Sequence, residues 1–91
     1  MLYARTMEHT ISELQIVPIK AKEGLVGYAS FVLDRVLYLG AIGIITRPTG
    51  GFRLLYPKNN THGDIYHPIE KAFANDIEEK VSNKFLEVTK L

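Results

Sequence analysis

The sequence of 91 residues contains no cysteine. Disulfides, thiolate zinc sites, iron–sulfur clusters and a cysteine nucleophile are thereby excluded. A small secreted domain usually depends on disulfide staples, so the composition points to a cytoplasmic protein. Long hydrophobic runs are missing too. The longest, Val36–Ile45, has ten residues, whereas a helix needs about 20 to cross a bilayer. Charge of one sign is likewise lacking, with 11 Lys and Arg against 10 Asp and Glu and a net charge of +1. That excludes a polycationic protein of the histone type and an acidic solvating tail, and leaves room for a local basic patch. There is no glycine-rich phosphate loop. Thr49-Gly50-Gly51 follows Pro48 and lacks the Gly-Lys-Ser/Thr ending. Three Ser and three His show no spacing that suggests a catalytic triad. The expectation is no enzymatic activity and no cofactor.

What is present describes a folded domain. The chain is 46% hydrophobic, 23% charged and 10% aromatic, far from the low-hydrophobicity, high-charge signature of disorder. A chain of this length buries roughly 60–65% of its unfolded surface, enough for one small core and marginal as a monomer. Residues 1–10 read as a loose leader without the apolar stretch of a signal peptide. Residues 11–91 read as a single domain.

Strand signals begin at Ile11. Leu14, Ile16, Pro18 and Lys20 share one face, and Val17 and Ile19 the other. Pro18 lacks an amide donor and places this strand at a sheet edge. After a turn at Lys22-Glu23-Gly24, Leu25–Leu33 forms a second strand, with Leu25, Gly27, Ala29, Phe31 and Leu33 on one side. Asp34-Arg35 is the expected two-residue hairpin loop. Val36–Thr46 is a third strand with two apolar faces, Leu37, Leu39, Ala41 and Ile45 against Tyr38, Ile42 and Ile44. Such a strand belongs in a sheet centre or a subunit interface, and Gly40 and Gly43 mark a bulge or a close backbone approach. Arg47–Gly51 turns the chain into Phe52–Tyr56. A polar loop, Pro57–Gly63, then leads to a short fifth strand at Asp64–Tyr66. Pro68 starts a helix whose stripe is Ile69, Phe73, Ile77, Val81 and Phe85, with Ala72 and Val88 beside it. The pattern is an α+β domain: an antiparallel sheet of four to five strands with one long C-terminal helix laid on it.

Few residues can carry chemistry. The carboxylates Asp76, Glu78, Glu79 and Glu87 form a solvated helix face. His62, Asp64 and His67 straddle a glycine turn and lack a fourth ligand, so no metal is expected. His67 is read instead as closing the helix N-terminus or packing under the loop. Asn59-Asn60-Thr61 matches a glycosylation acceptor by chance. The charge map says more. Between Arg35 and Gly63 lie four cations, Arg35, Arg47, Arg53 and Lys58, and no acid. Asn59, Asn60, Thr61 and His62 add hydrogen-bond donors for phosphate. The segment from Pro68 onward carries four lysines against five acids. Basic loops near aromatics such as Tyr38 and Tyr56 are one footprint of nucleic-acid binding.

Three blocks then align with a known family. Ala29-Ser30-Phe31-Val32-Leu33-Asp34, Gly51-Phe52-Arg53-Leu54-Leu55-Tyr56-Pro57-Lys58 and Asp64-Ile65-Tyr66-His67-Pro68-Ile69 resemble the stage V sporulation protein G (SpoVG) family of bacterial septation regulators. The blocks occur in the family's order and span about Ile11 to Phe85. The resemblance implies a cytoplasmic, strand-sharing homodimer that binds DNA or RNA to control gene expression, septation and sporulation, with no membrane and no small-molecule substrate. It also implies that the basic loop after Pro57 contacts nucleic acid. The site it suggests, with the charge map, is Arg47, Arg53, Lys58, Asn59, Asn60 and Thr61. The chain departs from the family at Gly40-Ala41-Ile42, where members carry a charged Asp-x-Arg segment, and at Asn59-Asn60, where a second positive charge is usual. The competing reading is a protein-interaction module in cell-division control that binds no nucleic acid.

Overall fold

The computed structural model describes residues 9–90. Strands β1 (Ile11–Lys22), β2 (Leu25–Leu33), β3 (Leu37–Thr46) and β4 (Phe52–Leu55) form an antiparallel sheet in the order β1-β2-β3-β4. A separate hairpin of β5 (Lys58–Asn59) and β6 (Gly63–Asp64) follows, and then helix α1 (Lys71–Thr89). The polar loop of the sequence reading is therefore itself a hairpin, and the fifth strand expected at Asp64–Tyr66 ends at Asp64. The α+β class with a four-stranded sheet and one C-terminal helix is the one the sequence implies.

Turn chemistry sets the sheet register. Glu23 and Gly24 have φ of 53° and 89° and close a two-residue turn between the paired Lys22 and Leu25. Two positive φ values in succession give the mirror-image turn whose twist matches the strands. The β2–β3 connection is one residue longer than expected. Asp34 and Arg35 are left-handed, at φ 52° and 64°. The Val36 amide donates to Leu33 O at 3.0 Å, so pairing resumes only at Leu37. Val36 is left 82% exposed.

Bulges correct the expected faces. Register shifts fall between Ser12 and Gln15, where Glu13 is left-handed, and between Leu39 and Ile42, where Ala41 is. Each inserts a residue and breaks strict alternation. Leu39, Ile42 and Ile44 therefore all join the core, and Ala41 is exposed. A third shift, between Leu25 and Gly27, turns Val26 toward the core and Leu25 away from it.

The core is Ala29, Phe31, Ile42 and Ile44 from the sheet and Ile77, Val81 and Phe85 from the helix. No polar or charged residue among those described is buried as a whole, but the Tyr56 hydroxyl is buried without a hydrogen-bond partner. The helix starts later than Pro68. Glu70 is its N-cap, and its carboxylate accepts from the amides of Phe73 at 2.6 Å and Ala72 at 3.3 Å. An acceptor there neutralises two of the unpaired amides of the first turn. Ile69 thus precedes the helix and is 91% exposed, so it drops out of the apolar stripe, and Val88 is exposed as well. Phe85 comes closest to β2 over Gly27. A Cβ at position 27 would stand 3.0 Å from Val17 O and 3.3 Å from the Phe85 ring. Gly27→Ala must push a backbone carbonyl or the helix aside. The expected loss is about 1–3 kcal/mol, as for other overpacked sites, read as a fall in Tm on the order of 5–15 °C.

The face of the sheet turned away from α1 has no cover within the chain. Val17 (60%), Tyr28 (41%), Tyr38 (68%) and Leu55 (40%) are exposed on it. The second apolar face of β3 is therefore open rather than buried. Pro18 lies in β1, an edge strand, where its missing amide breaks no ladder bond. No described helix is long and apolar enough to cross a membrane.

The leader lies mostly outside the described residues, but its last two residues are tied down. The Thr10 amide donates to Asp34 Oδ1 at 2.8 Å, His9 Nδ1 lies 3.0 Å from Asp34 Oδ2, and the Asp34 amide donates to Thr10 O at 2.8 Å. The Thr10 amide bond, then the His9 side chain, hold the Asp34 carboxyl below its ordinary value of 3.8. A depressed carboxylate pKa adds stability that is present at neutral pH and lost as pH falls through the folded value. Acid below about pH 4 should therefore release this clamp first. In hydrogen exchange, Thr10 should lose protection in acid before the β2 core does, and Asp34→Asn should remove that early step.

Candidate nucleic-acid interface

The structure divides the three principal cations instead of clustering them. Arg47 begins the β3–β4 turn, which is closed by Arg47 N to Gly51 O and Gly50 N to Arg47 O, both 3.0 Å. Gly50 and Gly51 there take φ of 103° and 77°, values that side chains rarely tolerate. The Arg47 Nε donates to Phe52 O at 3.0 Å, and its Nη2 lies 2.9 Å from Glu78 Oε1. Its guanidinium thus ties the turn to the helix and is neutralised there, which sets it apart from the other two cations.

Arg53 alternates with Phe52 and Leu54, which pack on the core, so it points to the open face opposite Ile45. It has no ion-pair partner among the described residues. Lys58 opens the β5–β6 hairpin and lines a shallow depression of about 200 Å³ on that face with Leu25, Tyr28, Gly43, Leu55 and Pro57. It too has no ion-pair partner among the described residues. Asp64 stands directly across the hairpin from Lys58, but its carboxylate is 3.0 Å from His67 Nδ1. Arg53 and Lys58 therefore flank Leu55 as the free cations of one surface.

The hairpin tip is held by its own polar groups. Asn59 Oδ1 accepts from the amides of Thr61 at 2.7 Å and His62 at 3.1 Å. This asparagine turn engages the Asn59 oxygen and the Thr61 amide. The side chains of Asn60 and Thr61 are exposed at the tip. His67 does not close the helix, since Glu70 does. Among the described residues no group of three or more His, Asp or Glu is arranged to hold a metal. On the helix, Lys80 pairs with Asp76 at 2.6 Å and Lys84 with Glu87 at 3.2 Å, so those cations are compensated.

Behind the hairpin, tyrosines join the elements. Tyr66 OH donates to Gly40 O at 2.5 Å, fixing the peptide at the β3 bulge, and its ring meets Tyr56 edge-on at 6.0 Å. Burial, then the neighbouring Tyr66 and Glu78, push the Tyr56 hydroxyl up to about 12. Burial also raises Tyr66. Both are neutral phenols at physiological pH, so neither is poised as a base. Sequence reasoning missed Tyr28. Its period-two position in β2, opposite Phe31, was the available signal.

No protein-family model matches the sequence, and no curated protein matches it.

Proposed function

We propose that the chain is a nucleic-acid-binding regulator of the SpoVG kind, acting in the cytoplasm and presenting its cations from two copies. The observation that carries this reading is Arg53 and Lys58, two cations without carboxylate partners among the described residues, on either side of Leu55 on one open sheet face. Strands β2, β3 and β4 contain no carboxylate at all. That surface is positive although the chain as a whole is nearly neutral. Contacts from such a surface go mainly to phosphates and give modest base discrimination. Strand sharing at a sheet edge would double the cation set and leave the face open. Arg47, tethered to Glu78, positions the turn and does not bind.

A second reading, a protein-interaction module in cell-division control, draws support from that same tether, which thins the basic patch. A gel shift at low salt with long duplex DNA, single-stranded DNA and RNA tests the choice. The nucleic-acid reading expects a shift with at least one of the three, and no shift with any of them rejects it in favour of the module.

A further inference from the structure

We infer that the open face of the sheet takes nucleic acid as a single strand, with bases laid on Tyr38 and Tyr28 and phosphates held by Arg53 and Lys58. This rests on the nucleic-acid reading above and names the form of its ligand.

Tyr38 carries the first part of the argument. It shares a face with Gly40, and a Cβ added at position 40 would stand 2.9 Å from both Cε2 and Oη of the Tyr38 ring. The ring therefore reaches along the strand to the glycine and meets it with the edge that carries Cε2 and Oη. The Gly40 peptide is fixed by the Tyr66 hydroxyl. That edge contact holds the ring along the strand, and the residue remains 68% exposed. An aromatic ring held at its edge and open to water is a stacking partner, and every base has a π-face to set on it.

Gly43 carries the second part. It is buried in the middle of β3, and Leu25 Cδ1 packs within 3.1 Å of where its Cβ would stand. Leu25, Tyr28, Leu55 and Lys58 wall a depression beside it, about 200 Å³ in volume. Lys58 at the rim and Arg53 one alternation from Leu55 supply the charge. Tyr38 pairs with Val32, which lies four residues from Tyr28 on β2, about 13 Å along the strand. The two aromatic positions are thus separate stations along one strand path. A duplex keeps its bases stacked inside and has nothing to place on either station.

A second copy stacked on this face fits less well. It would lay Arg53 against a surface whose β2, β3 and β4 hold no carboxylate, and an unpaired buried charge is strongly disfavoured.

Fluorescence polarisation with labelled oligo(dT), oligo(rU) and the same dT strand annealed to oligo(dA) tests the inference on the whole chain, with Tyr38→Ala, Tyr28→Ala and Tyr38→Phe variants. The wild type should bind the single strands more tightly than the duplex. Each alanine variant should weaken single-strand binding by roughly 5- to 150-fold, the range measured for a stacked base. Tyr38→Phe keeps the ring and should bind as the wild type does. Duplex binding as tight as single-strand binding, or alanine variants that bind the single strand unchanged, overturn the inference and leave the nucleic-acid reading standing. A wild type that binds none of the probes at low salt removes that reading and the inference with it. Sedimentation of the same proteins supplies the last arm. A dimer that the Tyr38 and Tyr28 alanine variants dissociate makes this face a self-interface and overturns the inference.

Discussion

Phe31→Ala should leave too little stability for a lasting native population. The Phe31 ring is fully buried in the central strand β2 and is among the largest fully buried side chains. It also borders a half-open pocket of about 190 Å³ between sheet and helix, shared with Leu33, Leu39, Tyr56, Phe73 and Ile77. Removing the ring merges its volume with space that already exists, so the surroundings cannot collapse onto the gap. The expected loss is therefore at the upper part of the range of about 3–5 kcal/mol for such truncations. Small domains have total stabilities of about 5–15 kcal/mol, and a core of seven buried residues places this one near the lower bound. Thermal unfolding should show Tm lowered on the order of 20 °C, while Ile42→Val, which removes one methyl from the same core, should lose only about 0.5–1.5 kcal/mol. Equal losses from the two would mean that the core is not organised around Phe31.

Replacing Arg53 and Lys58 together by alanine should have the largest effect on binding. Each phosphate contact contributes a factor set by the release of condensed counterions, with a slope of about 0.7 for single strands and 0.9 for duplexes. At about 0.1 M salt, two lost contacts correspond to roughly 25- to 60-fold weaker binding. Both side chains are exposed, so the fold should be unchanged. Arg47→Ala is the internal control. It removes the tie to Glu78, a surface pair that contributes about 0.2–1 kcal/mol to stability, and should leave affinity unaltered. If Arg47→Ala weakened binding as much as the double variant, the assignment of free and tethered cations would be reversed.

Most of the fold was legible because its signals are local. The alternation of Leu25–Leu33, the Glu23-Gly24 turn and the four-residue recurrence of Phe73, Ile77, Val81 and Phe85 each follow from one element's own geometry. The discrepancies arose where a distant partner decided. Ala41 is forced left-handed in a bulge whose peptide is held by Tyr66, 26 residues away, and that flipped half of β3. The helix start moved because the Glu70 carboxylate caps it, leaving Ile69 in solvent. The site was legible only in part. Sequence shows four cations without an acid between Arg35 and Gly63, but Glu78, outside that window, neutralises Arg47. Charge along the chain does not register a pair closed across 31 residues. The same blindness hid the open face, since the two apolar sides of β3 look alike until α1 covers one.

The most direct test of the central claim is the salt dependence of binding. A plot of log Kobs against log salt for the preferred nucleic acid should be linear, with a slope of about −1.4 to −1.8 for each bound copy of the chain if Arg53 and Lys58 both meet phosphates. The Arg53 and Lys58 double variant should flatten it toward zero. A wild-type slope near zero, or a slope that the double variant leaves unchanged, would contradict the account.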